Sequence, residues 1–242
     1  MAGTVKRLAT GISAWLLGCG LAVAGAVEDG LKPFTASYSI SWHGIAAGST
    51  QLQLQLLSDG RWSYRMQTFA RGLARLAMPA QLDSRSVFRI QDDKVMPETF
   101  TVDDGTDDDD SDQHVVFDWE AGRVRGIAER KRVDLQLQPG LLDTLSVQVA
   151  LMRELLAGRT PERFVLLDAE RIKDYIYTTQ GREKLQTDAG TYDTVIFRSS
   201  RPGSRKSTWF WCAPELGYLP LKVERRDGSD VQLSMRVRSA QR

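Results

Sequence analysis

Cysteine and histidine, the residues on which many small functional sites depend, are scarce in this sequence. Of 242 residues, two are cysteine (Cys19 and Cys212) and two are histidine (His43 and His114). Cys19 falls within a predicted leader, so Cys212 alone remains in the mature chain and an internal disulfide is excluded. A zinc site needs three or four ligands at suitable spacing, and no such cluster occurs. We therefore predict no metal site and expect Cys212 to be buried as a small apolar side chain.

The motifs of common enzymes and nucleotide-binding proteins are absent as well. The chain contains no G-x-S-x-G, no Walker A loop and no G-x-G-x-x-G. We therefore assign no catalytic residue, predict no cofactor and expect a protein that is not an enzyme. Buried carboxylates, or a serine with a histidine, could still assemble in space, so an enzyme of unknown type stays open as a third option.

Neither sign of charge is in excess. The chain has 32 basic and 31 acidic residues, and its formal net charge is +1. The first 26 residues contain two basic residues, Lys6 and Arg7, and no acidic ones, which leaves a net charge of −1 for the remainder. This balance gives no electrostatic reason to expect nucleic acid as a partner.

Long apolar runs are confined to the N-terminus. Two basic residues precede an apolar stretch from Leu8 to about Ala24, and Ala24 and Ala26 occupy the −3 and −1 positions of an A-x-A cleavage site. This arrangement predicts a secretory signal peptide over residues 1–26, with cleavage after Ala26 and a mature chain that begins at Val27. Because no other long apolar run follows, we expect no transmembrane span after removal of the signal.

The segment LLGC, Leu16–Cys19, offers an alternative to cleavage after Ala26. It resembles a bacterial lipobox, in which the cysteine is lipidated and becomes the new N-terminus. Leu16 and Gly18 fit that pattern, whereas Leu17 fits it poorly. Two locations therefore stay open: a periplasmic protein, and a lipoprotein anchored to the membrane through Cys19.

Alternation with a period of two dominates the mature chain. In FTASYSISW, at positions 34–42, apolar residues from Phe34 to Trp42 fall on one face, and STQLQLQLL at 49–57 places leucines opposite glutamines. The intervening HGIAAGS supplies a turn, so these two strands are predicted to form a hairpin. Similar runs follow at short spacing, including QLDSRSVFRI, PETFTV, QHVVFDW, KRVDLQLQ, DTVIFRSS and DVQLSMRVRS. The pattern predicts a single β-rich domain over residues 27–242, built on one large, curved antiparallel sheet.

One segment breaks this pattern and is predicted to form the main helix, Asp143–Ala157. Its apolar stripe has spacings of four, three and four, which is typical of one face of an amphipathic helix, and consists of Leu145, Val149, Met152 and Leu156. Asp143 suits the N-cap, and Gly158 with Pro161 suits the end. We predict that this helix packs on the concave face of the sheet, and that RGLARLA forms a shorter helical turn.

Two kinds of charged cluster are candidate sites. Six carboxylates lie between Asp103 and Asp110, but an EF-hand starting at Asp107 would place Asp112 and Asp118 where glycine and glutamate are required. The run is therefore interpreted as a solvated hairpin tip. The basic clusters are interpreted as protection of strand ends, with contact to anionic headgroups or envelope glycans as the alternative; their members are Arg130, Lys131 and Arg132, then Arg198, Arg201, Arg205 and Lys206.

The aromatic stretch STWFWCAPELGYLPLKVERRDG, residues 207–228, is predicted to be a hairpin. Trp209 and Trp211 fall on one face of a strand, and Phe210 and Cys212 fall on the other. Apolar residues on both faces indicate a strand that is covered on both sides, so we interpret the stretch as core and not as a ligand platform.

Several of these segments together resemble an exported bacterial family, the domain of unknown function numbered 3108. They are YSISWHGIAAGSTQLQL, ARGLARL, GLLDTLSVQVALMRELLAG, TDAGTYDTVIFR and WFWCAPELGYLPLKVE, which together span nearly all of the mature chain. The resemblance implies a signal peptide and a β-rich, half-barrel-like fold with a helix, similar to that of the periplasmic lipoprotein carriers. It brings no established activity and no catalytic residues.

Our prediction is therefore an exported α+β envelope protein, mainly β, that binds or escorts an apolar or amphipathic molecule such as a lipid within the curved sheet. The alternative is a structural or assembly factor whose sheet interior is fully packed. An apolar cavity beneath the helix would favour binding, and a filled interior would favour the structural role. The ligand-binding residues and the oligomeric state are unknown from sequence.

The signal-peptide interpretation predicts that the mature protein begins at Val27. N-terminal sequencing of protein isolated from the cell envelope checks this. A chain that instead begins at a diacylated Cys19 would contradict the prediction and identify a membrane-tethered lipoprotein.

Overall fold

The computed structural model describes residues 30–76, 81–108 and 110–242. The predicted leader, with the cleavage candidate Ala26 and the lipidation alternative Cys19, lies outside the described residues, as does Asp109 of the acidic run. Within the described part, the strands are β1 (Phe34–Trp42), β2 (Ile45–Leu56), β3 (Trp62–Ala70), β4 (Leu82–Gln91), β5 (Lys94–Asp103), β6 (Gln113–Asp118), β7 (Arg123–Ala128), β8 (Lys131–Gln136), β9 (Leu141–Asp143), β10 (Arg163–Asp168), β11 (Arg171–Thr187), β12 (Gly190–Ser200), β13 (Lys206–Ala213), β14 (Leu219–Asp227) and β15 (Asp230–Gln241). The helix α1 spans Ser146–Leu156, and short 3-10 turns cover Gly72–Leu76 and Pro214–Leu216.

All fifteen of these strands belong to one sheet. Its order is β8-β7-β6-β5-β4-β3-β2-β1-β15-β14-β13-β12-β11-β10-β9. Each strand therefore lies beside its neighbours in sequence, except that β1 pairs with β15 and that β8 and β9, which are consecutive in the chain, form the two edges. Every pair is antiparallel apart from β9 with β10, which are parallel and joined through α1. The predicted fold class, a large curved sheet that is half-barrel-like with one main helix, is confirmed.

Alternation sets the two faces of the strands as expected. Along β1, every second residue from Phe34 to Ile40 is buried, and β1 has the predicted bounds. The turn into β2 is shorter than predicted, because His43 and Gly44 both have positive φ (46° and 78°) and form a two-residue turn. The strand therefore begins at Ile45, earlier than the predicted Ser49.

The sheet curves until its two arms approach each other, although its edge strands β8 and β9 do not pair in the described chain. Near the ends of β1 and β10, Lys131 Nζ lies 3.2 Å from Glu170 Oε1 and joins the start of β8 to the turn between β10 and β11. Deeper inside, Ser86 on β4 donates a 2.7 Å hydrogen bond to Asp143 at the end of β9. The concave side is therefore enclosed by strands from both arms.

The helix begins three residues later than the predicted Asp143. Residues 141–143 are extended because they pair with β10, and the N-cap is Leu145. Asp143 still satisfies the helix start, since its Oδ1 accepts the N–H groups of Leu145 (2.8 Å) and Ser146 (2.7 Å). Complete burial raises the pKa of Asp143 above its usual range, against the opposing effect of these hydrogen bonds.

The helix is more deeply buried than an amphipathic stripe requires. Val149 and Met152 are fully buried, as predicted, whereas Leu156 is only partly buried. The buried set extends around the helix and comprises Ser146, Val147, Val149, Ala150, Leu151, Met152, Arg153 and Leu155. A helix that is buried on nearly all sides is an internal element of the core, and α1 accordingly fills the concave side where it lies.

Contacts of α1 place it in the half of the concave side away from Trp42. Its Arg153 donates a 2.5 Å hydrogen bond to Asp93 in the turn between β4 and β5. Arg159, just after the helix, donates to the same carboxylate at 2.5 Å, and Leu156 lies against Gly30 before β1. This end of the sheet is closed by the helix, and we call the opposite end, where β1 ends and β10 ends, the mouth.

Because Met152 is fully buried in α1, we expect Met152→Asp to lower the free energy of unfolding by more than about 3 kcal/mol, through burial of an unpaired charge. Chemical denaturation followed by circular dichroism checks this. Thr144→Asp, which adds the same charge at an exposed neighbouring position, is the matched control and is expected to stay within about 0.5 kcal/mol of wild type. Equal stability of the two variants would show that the helix is not an internal element.

Candidate functional site

An open cleft of about 510 Å³ occupies the mouth of the sheet, where α1 does not fill the concave side. Its floor is a row of residues that face one another across five neighbouring strands. In order from β1 through β15, β14 and β13 to β12, the paired residues are Trp42, Leu233, Arg225, Thr208 and Ser199. We call this the mouth cleft, and its remaining wall is built from the loops and strand ends around Asp168, Tyr175, Arg201, Lys206 and Asp227.

One side of the mouth cleft is apolar. Trp42 was predicted to lie on the buried face of β1, and it does lie on that face, but 57% of its surface is exposed because nothing covers the sheet there. Leu233 faces it from β15, and Ile45, which is 71% exposed, faces it from β2. Three large apolar side chains thus continue the core outward onto an accessible surface.

The other side of the mouth cleft is cationic. Arg201, Lys206 and Arg225 line it, and all three are exposed. Among the described residues, none of the three forms an ion pair or a side-chain hydrogen bond, unlike most arginines of this chain. The cleft is therefore divided into an apolar part and a cationic part.

The acidic residues that line the cleft have other partners. Asp168 accepts hydrogen bonds from Lys173 Nζ (2.8 Å) and from the Tyr175 hydroxyl (2.7 Å). Asp227 lies 3.3 Å from Arg205 Nε, outside the cationic trio. Asp168 also attracts Arg201, and Asp227 faces Lys206 across β13 and β14, so these two carboxylates offset part of the positive charge of the trio but not all of it.

The titration of Asp168 follows from these contacts. Partial burial acts to raise the pKa of its carboxyl, but hydrogen bonds from Lys173 and Tyr175 outweigh it and hold the pKa below the usual range. Burial, together with donation to Asp168, raises the pKa of Tyr175 well above its usual value. At neutral pH this corner of the cleft therefore contains a carboxylate that accepts hydrogen bonds from Lys173 and from a neutral phenol.

The aromatic strand β13 is core, as interpreted from the sequence. Trp209 and Trp211 stack with ring centroids 6.4 Å apart on the convex side, where Lys222 lies 4.1 Å above Trp211. On the other side of the strand, Cys212 is fully buried with a free thiol, and burial raises its pKa. Phe210 packs at 6.4 Å from Tyr177 in the interior.

The structure divides the predicted basic clusters. In the first cluster, each member contacts a carboxylate: Arg130 that of Asp108, Lys131 that of Glu170 and Arg132 that of Asp134. In the second cluster, Arg201 and Lys206 line the cleft, whereas Arg205 pairs with Asp227. Of the two clusters, the second therefore contributes positive charge to the cleft, through Arg201 and Lys206.

The acidic run lies in the predicted loop between β5 and β6. Its carboxylates accept hydrogen bonds from the loop backbone, for example Asp103 from Gly105 and Asp104 from Thr106, or pair with Arg130. Within the described residues, no group of three or more acidic, histidine or cysteine side chains is arranged to hold a metal ion. His43 is exposed, and its Nδ1 lies 3.9 Å from Asp230.

Sequence reasoning did not find the site as a whole. From sequence, Arg225 had no predicted role, and Trp42 was predicted to lie on the buried face of β1. Position at the end of a strand is the sequence signal that could have found the site. Trp42 is the last residue of β1, and an apolar side chain at a strand end is the first to extend beyond the residues that cover the sheet.

A second, smaller cavity of about 400 Å³ lies where β9 approaches β5. It is bordered by Val95 of β5, Leu142 of β9, Ala150 of α1 and Phe164 of β10. Its rim contains both signs of charge, with Lys94 and Arg163 near Asp93 and Glu154. This cavity follows the gap between the two arms of the sheet and lacks the charge separation of the mouth cleft.

Comparison with known proteins identifies the family. The model of the family described as "Protein of unknown function (DUF3108)" matches residues 37–236, which is most of the chain. The chain therefore belongs to this family, as its sequence segments indicated. No curated protein matches the chain in sequence.

A solved structure of low sequence identity shows the same fold. A beta-barrel-like protein of the domain of unknown function DUF1849 from Brucella abortus is 12% identical, with a TM-score of 0.57, and the match covers 87% of this chain and 98% of that one. The MucA/MucB complex of Pseudomonas aeruginosa is also similar to this chain, with 12% identity, a TM-score of 0.39, and coverage of 88% and 52%. The first likeness shows the fold alone, and the second is too distant to carry an argument.

The contacts of Asp168 predict a pH-dependent effect of Asp168→Asn. At pH 7 we expect the variant to be less stable by about 1 kcal/mol, because the charge-assisted hydrogen bonds of Asp168 are weakened. A group with a lowered pKa in the folded protein stabilises it fully above its unfolded pKa, so the difference should persist down to about pH 4 and shrink below it, as the pH falls through the lowered folded pKa. Denaturation of both proteins at a series of pH values measures it; a difference that grows on acidification would contradict the prediction.

Proposed function

We propose that this member of the DUF3108 family is a non-catalytic binding protein of the cell envelope that binds or escorts an amphipathic molecule in the mouth cleft. The observation that carries the proposal is the division of the cleft. Trp42 and Leu233 line the cleft, the exposed Ile45 extends their apolar surface beside Trp42, and three cations line the same cleft. An amphipathic molecule is complementary to both parts at once.

The packing of α1 favours a ligand in the mouth cleft over a ligand beneath the helix. Met152 and Val149 are fully buried, and they belong to one core cluster with buried side chains of β1, β4 and β14. An acyl chain would have to displace this core to lie under α1. At the mouth, by contrast, the apolar side chains are already accessible.

The exposed apolar surface is itself a reason to expect a ligand or partner. Exposed apolar side chains that stand singly need no explanation, but adjacent ones in a concave site are typical of binding surfaces. Trp42 faces Ile45 on one side and Leu233 on the other across adjacent strands, so the three are contiguous. Tryptophan is well suited to such a site, because its ring supplies apolar area and its N–H remains available to a polar group.

A structural or assembly factor of the envelope is the second candidate. The filled interior around α1 favours it, since such a protein needs a rigid fold and no internal ligand. A purely structural function would not explain why Arg201, Lys206 and Arg225 are exposed in the mouth cleft.

The envelope location and the mature N-terminus belong to the same proposal. Sequence features of residues 1–26 support export, with the periplasm as the destination or, through Cys19, a lipid anchor on the membrane. Among the described residues, no helix has the length and apolar character needed to cross a membrane.

No catalytic step is proposed. Where a carboxylate and hydroxyl groups do converge, at Asp143 with Ser86 and Ser146, all three residues are buried and hold the helix start in place. In the cleft, Asp168 accepts hydrogen bonds from Lys173 and Tyr175. These contacts give both carboxylates a structural role.

The proposed function predicts that protein purified from the envelope contains a bound amphipathic molecule, detectable by mass spectrometry of an organic extract. Trp42→Ser should remove most of it, because this change deletes the centre of the apolar side. Its effect on thermal stability should be small, since Trp42 is largely exposed.

Leu56→Ser is the matched control, because Leu56 is similarly exposed (54%) but lies at the opposite end of β2. It should retain the bound molecule. Extracts that contain no amphipathic molecule from wild type, or equal amounts from wild type and Trp42→Ser, would favour the structural candidate.

A further inference from the structure

We infer that the polar end of the ligand is a phosphate group held by Arg201, Lys206 and Arg225. This inference rests on the proposed function and specifies the chemical class of the molecule. It is carried by the surplus of positive charge in a cleft whose acidic residues are already engaged.

The charges of the cleft can be accounted for one by one. Asp168 is bound by Lys173 and Tyr175, and Asp227 is paired with Arg205. A fourth cation at the edge of the cleft, Arg226, pairs with Glu224. Each of these groups therefore has a partner that lies outside the trio.

Among the described residues, three cations remain without a carboxylate at ion-pair distance. Arg201 directly follows β12, Lys206 begins β13 and Arg225 lies near the end of β14, so all three are placed at the same end of three adjacent strands. Asp227 faces Lys206 across β13 and β14, and Asp168 attracts Arg201, but these are the two carboxylates of a cleft that four cations line. The positive charge that is left over would be compensated by a ligand of opposite charge.

Phosphate suits this trio better than a carboxylate does. A phosphate monoester carries up to two negative charges and several acceptor oxygens, whereas a carboxylate carries one charge that a single arginine can neutralise. The guanidinium groups of Arg201 and Arg225 can each donate two parallel hydrogen bonds, and Lys206 adds a compact charge. The Thr208 side chain on the floor, next to Arg225 in the row, supplies a further donor.

The apolar side of the cleft indicates which kind of molecule carries the phosphate. Leu233 faces Arg225 directly across β14 and β15, and Trp42 follows it on β1. A phosphate bound by the trio would therefore have apolar surface within one strand spacing, roughly 5 Å away. Phosphate attached to an apolar body, as in an anionic lipid headgroup, fits this surface, whereas free inorganic phosphate would leave the apolar side unused.

Two probes that differ only in the phosphate test the inference: dihexanoyl phosphatidic acid and dihexanoylglycerol, each titrated into the purified full-length protein by calorimetry below the micellar concentration. We expect the phosphatidic acid to bind at least about tenfold more tightly at low salt. Its advantage should fall as ionic strength rises, because exposed charges are screened. Inorganic phosphate alone, as a third probe, should bind more weakly than the phosphatidic acid.

Arginine variants test whether the cationic trio binds the phosphate. Arg225→Gln and Arg201→Gln should each weaken binding of phosphatidic acid by about tenfold and leave binding of dihexanoylglycerol unchanged. Arg236→Gln is the matched control, because Arg236 is an exposed arginine of β15 that lies beside Lys222 on the convex face and forms no ion pair with another described residue. It should leave the binding of both probes unchanged. Thermal unfolding of each variant confirms that the fold is intact.

The outcomes separate this inference from the proposed function. Equal affinity for the two lipids, unaffected by the arginine variants but reduced in Trp42→Ser, would overturn the phosphate assignment and leave amphipathic binding in place. Inorganic phosphate binding as tightly as the phosphatidic acid would support the cationic site and contradict the amphipathic function. Absence of binding by all three probes would overturn both.

Discussion

A single buried carboxylate, Asp143, fixes the helix on which the rest of the interior depends. It ends the parallel strand β9, accepts the first N–H groups of the helical segment and is bound by Ser86 of β4. Strand, helix start and opposite arm of the sheet therefore meet at one side chain. Removing a buried polar group from such a network leaves its donors unsatisfied, which costs more than the hydrogen bonds themselves contribute.

The position of α1 explains why the concave side has two different halves. Asp93 binds Arg153 of the helix and Arg159 beyond it at one end, which holds α1 away from the mouth. Where the helix is present, apolar side chains are completely buried. Where it is absent, the same alternating face continues to Trp42 and Arg225 and becomes an accessible surface. The mouth cleft is thus the part of the concave side that the helix does not reach.

Local patterns were sufficient for much of the fold. The alternation of β1 predicted its bounds, and the sequence of the helix predicted burial of Val149 and Met152. The predicted helix start was wrong because parallel pairing of β9 with β10 depends on residues about twenty positions away, which no local pattern contains. The same cause hid the site: Arg225 meets Leu233 and Thr208 only through strand register. The surplus charge of Arg201 and Lys206 likewise follows from which carboxylates have partners elsewhere.

The junction of β1 with β15 has a consequence for how the chain reaches its final form. Ser37 and Ser239 are hydrogen-bonded across this junction although they are 202 residues apart in sequence. On either side of it, most strands pair with the preceding or following strand, so each arm can form from local hairpins as the chain emerges. The arms become one sheet only when the last twelve-residue strand arrives, and contacts between distant residues are slow to form. Until then β1 and β14 each present an unpaired edge, so the unfinished sheet is prone to aggregation, and β15 is indispensable to the fold.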